Sequence, residues 1–185
     1  MRIVAGSARG RPLIGPGPKS KDIRPTADRV RQTIFNVLGQ WLDGVSVLDL
    51  YAGTGALALE SLSRGAEKAV LVDSGREALE LCRANTEALG FGAKARILPL
   101  PVARALERLA GEGAVFELVF ADPPYAAKAV EDVLSGVEAK GLLASTGTLV
   151  VEHDKREAVP ERHGGLQRVD QRTFGDTVVS FYRFA

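Results

Sequence analysis

From residue 45 to residue 152 the chain alternates short apolar runs with longer stretches of helical period, and no other feature restricts the fold as tightly. Residues 45–50, 69–73, 95–98, 118–121 and 147–152 read as strands, and residues 56–64, 76–89, 102–110 and 126–139 as the helices between them. Strand–helix–strand units cross over right-handedly and build a parallel sheet with helices on both faces. Residues 166–173 and 177–184, joined by Phe174-Gly175-Asp176, read as a closing hairpin. Ligands of such sheets bind beyond the carboxyl ends of the strands, where the strand order reverses. Asp49, Asp73 and Asp122 fall at or near such ends, as does the turn Pro99-Leu100-Pro101. One fold rule therefore gathers four separated stretches along one edge.

Phe120-Ala121-Asp122-Pro123-Pro124-Tyr125 ends the fourth strand abruptly. Proline has no N–H for a sheet ladder and holds φ near −65°, so the chain must leave the sheet there. The carbonyls of Asp122 and Pro123 become acceptors without strand partners, beside a carboxylate and an aromatic ring. That set suits a flat base bearing an amino group. Taken alone, the stretch also fits an ordinary turn into a helix, with Tyr125 as a packing residue.

The loop Tyr51-Ala52-Gly53-Thr54-Gly55 lies between a strand and a helix, and its glycines let a ligand approach the backbone closely. With Ala58 it fits the GxGxxA form of a dinucleotide fingerprint, and Asp73 follows Gly55 by 18 residues. Asp49 argues against a dinucleotide, because a carboxylate there would repel a pyrophosphate. It suits a cofactor carrying positive charge. S-adenosylmethionine has an ammonium, a sulfonium and a single carboxylate. Asp49 could take the ammonium and Asp73 both ribose hydroxyls. A helix-capping role for Asp73 fits the same position.

Charge is uneven. Residues 1–31 hold eight Lys/Arg against two Asp/Glu, a local +6, whereas the whole chain carries +1. A basic end on a near-neutral body points to a polyanionic partner. Residues 2–5 and 11–14 read as a small arginine-rich hairpin, followed by a basic loop at 15–21. Thr26 can cap a helix whose apolar stripe is Val30, Ile34, Leu38, Trp41 and Leu42, with Arg29 and Arg31 off that stripe. The lone cysteine, Cys82, excludes an internal disulfide and a cysteine metal cluster, and it reads as a core residue. His153 and His163 are too isolated for a metal site. No apolar run suits a membrane span, and the N-terminus lacks a signal-peptide core, so a cytoplasmic protein is expected.

Residues 47–55 resemble the first motif of class I S-adenosylmethionine-dependent methyltransferases, and Asp122-Pro123-Pro124-Tyr125 resembles their amino-methylating motif. The segment Ile23-Arg24-Pro25-Thr26-Ala27-Asp28-Arg29-Val30-Arg31 opens a stretch similar to the RPTxDRVRExLF segment of one branch. That branch is the bacterial 16S ribosomal RNA guanine-N(2)-methyltransferases of the RsmD type. The likeness runs from an RIVAGxxRGRxL opening at Arg2 to the C-terminal strands.

The resemblance implies a Rossmann-like α/β fold: a seven-stranded, mostly parallel sheet with helices on both faces, an antiparallel last strand and a small N-terminal β-hairpin. It divides the chain into a basic hairpin and linker, 1–25, and a methyltransferase domain, 26–185. It implies S-adenosylmethionine as cofactor, held by Asp49, Tyr51, Ala52, Gly53, Gly55 and Asp73. Many relatives carry Asp or Asn where Pro101 stands, and proline cannot meet the adenine amine, so the Val102 backbone is expected there instead. Asp122, Pro123, Pro124 and Tyr125 are the expected catalytic residues, and Arg9, Arg11, Arg24, Thr26 and Arg29 the expected RNA contacts. The expected partner of this monomer is 16S rRNA or the small-subunit particle. Methylation of adenine in DNA or of glutamine in protein are the alternatives within the reaction class. A nicotinamide-dependent oxidoreductase and a non-catalytic RNA-binding domain are those outside it.

Overall fold

The structure, a computed structural model, describes residues 1–17, 28–124 and 129–185. The strands are β1 (Ser46–Leu50), β2 (Lys68–Asp73), β3 (Ala95–Pro99), β4 (Phe116–Ala121), β5 (Leu143–Asp154), β6 (Arg162–His163), β7 (Leu166–Phe174) and β8 (Thr177–Phe184). The helices are α1 (Asp28–Leu38), α2 (Ala56–Ser63), α3 (Arg76–Leu89), α4 (Val102–Gly111) and α5 (Ala129–Ala139). They form one sheet in the order β3-β2-β1-β4-β5-β8-β7-β6. The first five strands in that order pair in parallel, and the remaining pairings are antiparallel. The sheet therefore has eight strands, not the seven expected: β6 is a two-residue edge strand pairing Arg162 with Gln167 and His163 with Leu166. So short a segment has no period to read. Strand β8 inserts between β5 and β7, which makes the strand beside β5 antiparallel.

β1 is buried at every position and β4 at every position but Glu117, as strands covered on both faces must be. One face packs against α1, α2 and the N-terminal hairpin through Ile34, Phe35, Leu59, Leu62, Phe120 and Ile3. The other packs against α4 and α5 through Leu48, Leu106, Leu109, Val119, Val133 and Leu134. Full burial of each such side chain contributes about 1.5–3 kcal/mol.

The hairpin is built into this body. Arg2 bridges Pro12, and Ile3, Ala8 and Leu13 are buried. The fully buried Glu60 of α2 accepts the Val4 and Ala5 N–H groups at 2.8 and 3.0 Å, and Arg64 completes it at 2.9 Å. After Leu13 the chain runs as a strap along α3 to Gly17, whose N–H donates to Glu77 in the first turn of that helix.

Two expectations for α1 fail. Arg31 is fully buried rather than off the apolar stripe: its guanidinium donates to the Arg2 carbonyl at 2.6 Å and to Asp28 at 2.9 Å. The hairpin covers what the helical period alone marks as a solvent face. Trp41 is 73% exposed, because α1 stops at Leu38 and Gly39 turns the chain with φ 101°. The stripe is completed instead by Phe35, whose ring meets Phe120 edge-on at 6.0 Å and carries Arg64 at 4.4 Å from its centroid.

Candidate active site

The register lines up the carboxyl ends of the parallel strands. Leu50 pairs with Val72 on one side and Ala121 on the other, and Asp73 pairs with Pro99. The chain leaves β1 for β2 in one direction and enters β4 in the other, so the strand order reverses between β1 and β4. Asp49, Asp73, the loop after β1 and Asp122 therefore share one edge at the switch point, as the alternating pattern requires.

The loop turns sharply. Tyr51 has φ 61°, the only positive φ at a non-glycine position among the described residues, followed by Gly53 at 56° and Gly55 at 77°. A left-handed tyrosine costs about 1–2 kcal/mol. It is held by the bonds around it: Ala52 N–H to the Val72 carbonyl at 3.0 Å and Gly55 N–H to Ala52 at 2.7 Å. At Gly55 a Cβ would come within 2.8 Å of Leu71 Cδ2, so glycine is needed for space as well as for φ. Tyr51 is half-buried, and burial together with the charge of Asp132 pushes its phenol pKa upward.

Asp49 is 3% exposed and points under α2, where its Oδ2 accepts the Ala58 N–H at 3.1 Å. Burial pushes its carboxyl from the ordinary 3.8 up to about 8; the Ala58 bond opposes this and the charge of Asp73 adds to it. Asp73 is half-exposed. Its Oδ2 takes the Gly53 N–H at 3.0 Å and its Oδ1 takes the Gly75 N–H at 2.8 Å. Asp73 is not the cap of α3; Gly75 occupies that position, without a side-chain capping bond. Each Asp73 oxygen keeps a further lone pair for a ligand hydroxyl.

Asp122 continues the β4 ladder by one residue, its N–H reaching Leu50 O at 3.4 Å. It is half-buried, Pro123 is buried and Pro124 exposed. Pro101 caps α4 with φ −56°, and Val102, half-buried, presents a first-turn N–H that no helix satisfies internally. Tyr125, Arg24 and Thr26 lie outside the described residues, as does the expected start of the fifth helix at 126–128.

Of the expected RNA contacts among the described residues, Arg29 is exposed in the first turn of α1, and Arg9 and Arg11 lie away from this edge. Arg9 and Arg11 are exposed at the opposite end. Arg11 donates to the Leu89 carbonyl at 3.3 Å and to the Ala88 carbonyl, the last turn of α3. From there α3 climbs its 14 residues to Gly75 and Asp73, a distance of about 21 Å. His153, buried, is satisfied within the sheet: its Nδ1 faces the Asp154 carbonyl at 3.1 Å and its Nε2 faces Ser180 at 2.9 Å.

Two residues behind the loop carry no sequence motif. Cys82 Sγ meets the Gly53 carbonyl at 3.3 Å, and the Asn85 amide donates to the Thr54 carbonyl at 3.0 Å. Both lie on the buried stripe Ala78, Cys82, Asn85, Leu89 of α3. A polar amide in that stripe is the one sign the sequence offers.

Residues 1–183 match the family described as conserved hypothetical protein 95. Over 160 residues the chain is 37% identical to ribosomal RNA small subunit methyltransferase D of Escherichia coli K12, covering 86% of this chain and 78% of that one. The chain belongs to this family, the RsmD-type rRNA methyltransferases. It is also 35% identical over 183 residues to the provisionally named rRNA methyltransferase YlbH of Bacillus subtilis, covering 99% of this chain and 98% of that one. A solved Escherichia coli structure provisionally described as a methyltransferase superposes with a TM-score of 0.85 at 32% identity, covering 100% and 97% of the two chains. The edge from Asp73 to Asp122 joins the glycine loop to the Asp-Pro-Pro turn.

Proposed function

We propose that this RsmD-type enzyme methylates the exocyclic 2-amino group of a guanine in 16S rRNA, with Asp122 and the Pro123 carbonyl orienting that amine. Family membership carries the reaction class, S-adenosylmethionine-dependent methylation of 16S rRNA. What supports the site is the register that lays Asp49, Asp73 and Asp122 along one edge.

The donor set fits the cofactor. Asp49 is a buried acid whose ionisation the protein alone disfavours, and an ammonium beside it would supply the missing countercharge. Asp73 keeps acceptor capacity for ribose hydroxyls while holding Gly53, and Gly53, Gly55, Tyr51 and Ala52 shape the backbone around the cofactor. The Val102 amide stands in for the side chain that Pro101 cannot provide to adenine. S-adenosylmethionine supplies the electrophilic methyl group. A guanine 2-amino nitrogen is a weak nucleophile because its lone pair is delocalised into the ring. Asp122 and Pro123 accept its two hydrogens, turn the lone pair toward the methyl and stabilise the positive charge that develops. The proton leaves after attack. Pro124 fixes this turn, and Tyr125 stacks on the extruded base, a contact worth about 1–3 kcal/mol.

Arg24, Thr26 and Arg29 bind RNA in this reading, and Arg9 with Arg11 holds phosphate about 21 Å from the Asp73 end of α3. An rRNA helix readily spans that distance. Residues 1–25 then act as a substrate arm on the methyltransferase domain 26–185. The protein works as a cytoplasmic monomer on 16S rRNA or the small-subunit particle. Among the described residues no helix is long and apolar enough to cross a membrane. The test is methyl transfer from labelled S-adenosylmethionine to 16S rRNA, DNA and protein offered separately; label in DNA or protein and none in rRNA would refute the reading.

A further inference from the structure

The end of the hairpin and the strap that follows it, residues 11–17 together, are tied to α3 at three heights. Arg11 binds the last-turn carbonyls, Ile14 binds Asn85, and Gly17 binds Glu77 in the first turn. The middle tie differs from the others. Asn85 is fully buried, and its Oδ1 accepts the Ile14 N–H at 2.7 Å. Its Nδ2 donates to the Ile14 carbonyl at 2.9 Å and to the Thr54 carbonyl at 3.0 Å. The two carbonyls can only accept, so the orientation of the amide is fixed by its partners. One side chain thus grips both backbone groups of Ile14 in the strap and the Thr54 carbonyl of the cofactor loop.

The grip has a direction. Cys82 and Asn85 turn the successive carbonyls of Gly53 and Thr54 back toward α3. The Thr54–Gly55 unit so held sends its N–H to the Ala52 carbonyl at 2.7 Å, and the Ala52–Gly53 unit in turn sends its N–H to Asp73. A shift of the strap pulls on the Asn85 amide, and the amide pulls on Thr54. Thr54 is 4% exposed, so water cannot replace the lost bond there, whereas Ile14 is half exposed.

We propose that Asn85 is a positioning residue that locks the cofactor loop and the strap into one unit, so that cofactor affinity and RNA affinity rise and fall together. The inference rests on the reading above, in which the loop holds the cofactor and the hairpin preceding the strap holds RNA phosphate through Arg9 and Arg11. Coupling through such a lock is reciprocal: whatever factor RNA applies to cofactor affinity, the cofactor applies to RNA affinity.

The test is equilibrium binding of S-adenosylhomocysteine, which binds without turnover, with and without a saturating amount of the rRNA acceptor that the enzyme methylates. Wild-type protein should bind it on the order of tenfold more tightly with RNA present. Ile14→Pro removes the one N–H that reaches Asn85 Oδ1 and leaves Asn85 Nδ2 on the Ile14 and Thr54 carbonyls. It should keep the RNA-free affinity within about threefold and lower the coupling factor to below about threefold, while Ile14→Val, which keeps the N–H, should couple normally. Asn85→Leu, of similar volume, should weaken RNA-free binding by about tenfold and also abolish coupling. A coupling factor of one in the wild type, or an unchanged factor in both Ile14→Pro and Asn85→Leu, overturns the inference and leaves the proposed function standing. Failure of the wild type to bind S-adenosylhomocysteine at all overturns the proposed function itself, and the inference with it.

Discussion

Asp49→Asn should make the protein more stable near neutral pH while weakening its cofactor binding. The carboxyl moves from an ordinary 3.8 to about 8 on folding because it is buried under α2. The folded state therefore holds a proton that the unfolded chain releases. The contribution of Asp49 to stability is fully present below pH 3.8 and is lost as pH rises toward about 8. The loss runs at about 1.4 kcal/mol per pH unit, so roughly 2–3 kcal/mol disappears between about pH 5 and pH 7. Asparagine keeps an oxygen for the Ala58 N–H and cannot titrate, so its fixed packing cost offsets the comparison without tilting it. Urea unfolding of both proteins across this range should show the variant gaining on the wild type by about 1 kcal/mol or more per pH unit, with the gain levelling above about pH 8. An ammonium beside Asp49 would restore the carboxylate, so cofactor binding near neutral pH should release a proton, measurable by calorimetry in buffers of different ionisation enthalpy. A stability difference that is flat with pH would mean that Asp49 is already ionised in the free protein, and the electrostatic argument for the cofactor would fall.

Asp73→Ala should weaken S-adenosylmethionine binding by roughly 10–100-fold, since it removes the ribose acceptor and also releases the Gly53 and Gly75 amides; calorimetry reads this directly, and unaltered affinity would count against it. Asp122→Ala should lower kcat by about 10²–10³ with cofactor affinity nearly unchanged, as expected for a group acting on the developing charge; near-normal turnover would reduce the Asp-Pro-Pro stretch to a turn. Arg9→Gln combined with Arg11→Gln should raise KM for RNA and flatten the salt dependence of binding by about one log unit per lost phosphate contact. The same pair should slightly lower the melting temperature, because Arg11 closes the last turn of α3. Gly55→Ala should destabilise the fold by about 1–3 kcal/mol, given φ 77° and a Cβ contact of 2.8 Å with Leu71.

Much of the sheet was legible because buried parallel strands and their crossover helices impose different hydrophobic periods, and the glycine loop and three aspartates followed from that topology. β5 was not fully legible: it begins at Leu143, ahead of the Thr148–Val151 run that pairs regularly with β4, because the ladder shifts register between Phe116 and Leu118. A bulge adds residues without adding a pattern. The burial of Arg31 was not legible for a related reason. Helical period identifies a face, but only tertiary structure shows that the hairpin closes over it. Local charge marks the N-terminal end as a polyanion surface, yet charge carries no position, and the hairpin takes Arg9 and Arg11 to the far end of α3. The role of Asn85 was not legible because its three bonds reach two other segments that no local pattern connects to it.

The most direct test is nucleoside mass spectrometry of 16S rRNA incubated with the protein and S-adenosylmethionine, run beside Asp122→Ala. One N2-methylguanosine, at a single position, should be formed by the wild type and be absent with the variant. Methylation on another atom or another base, or equal product from Asp122→Ala, would contradict the proposed function.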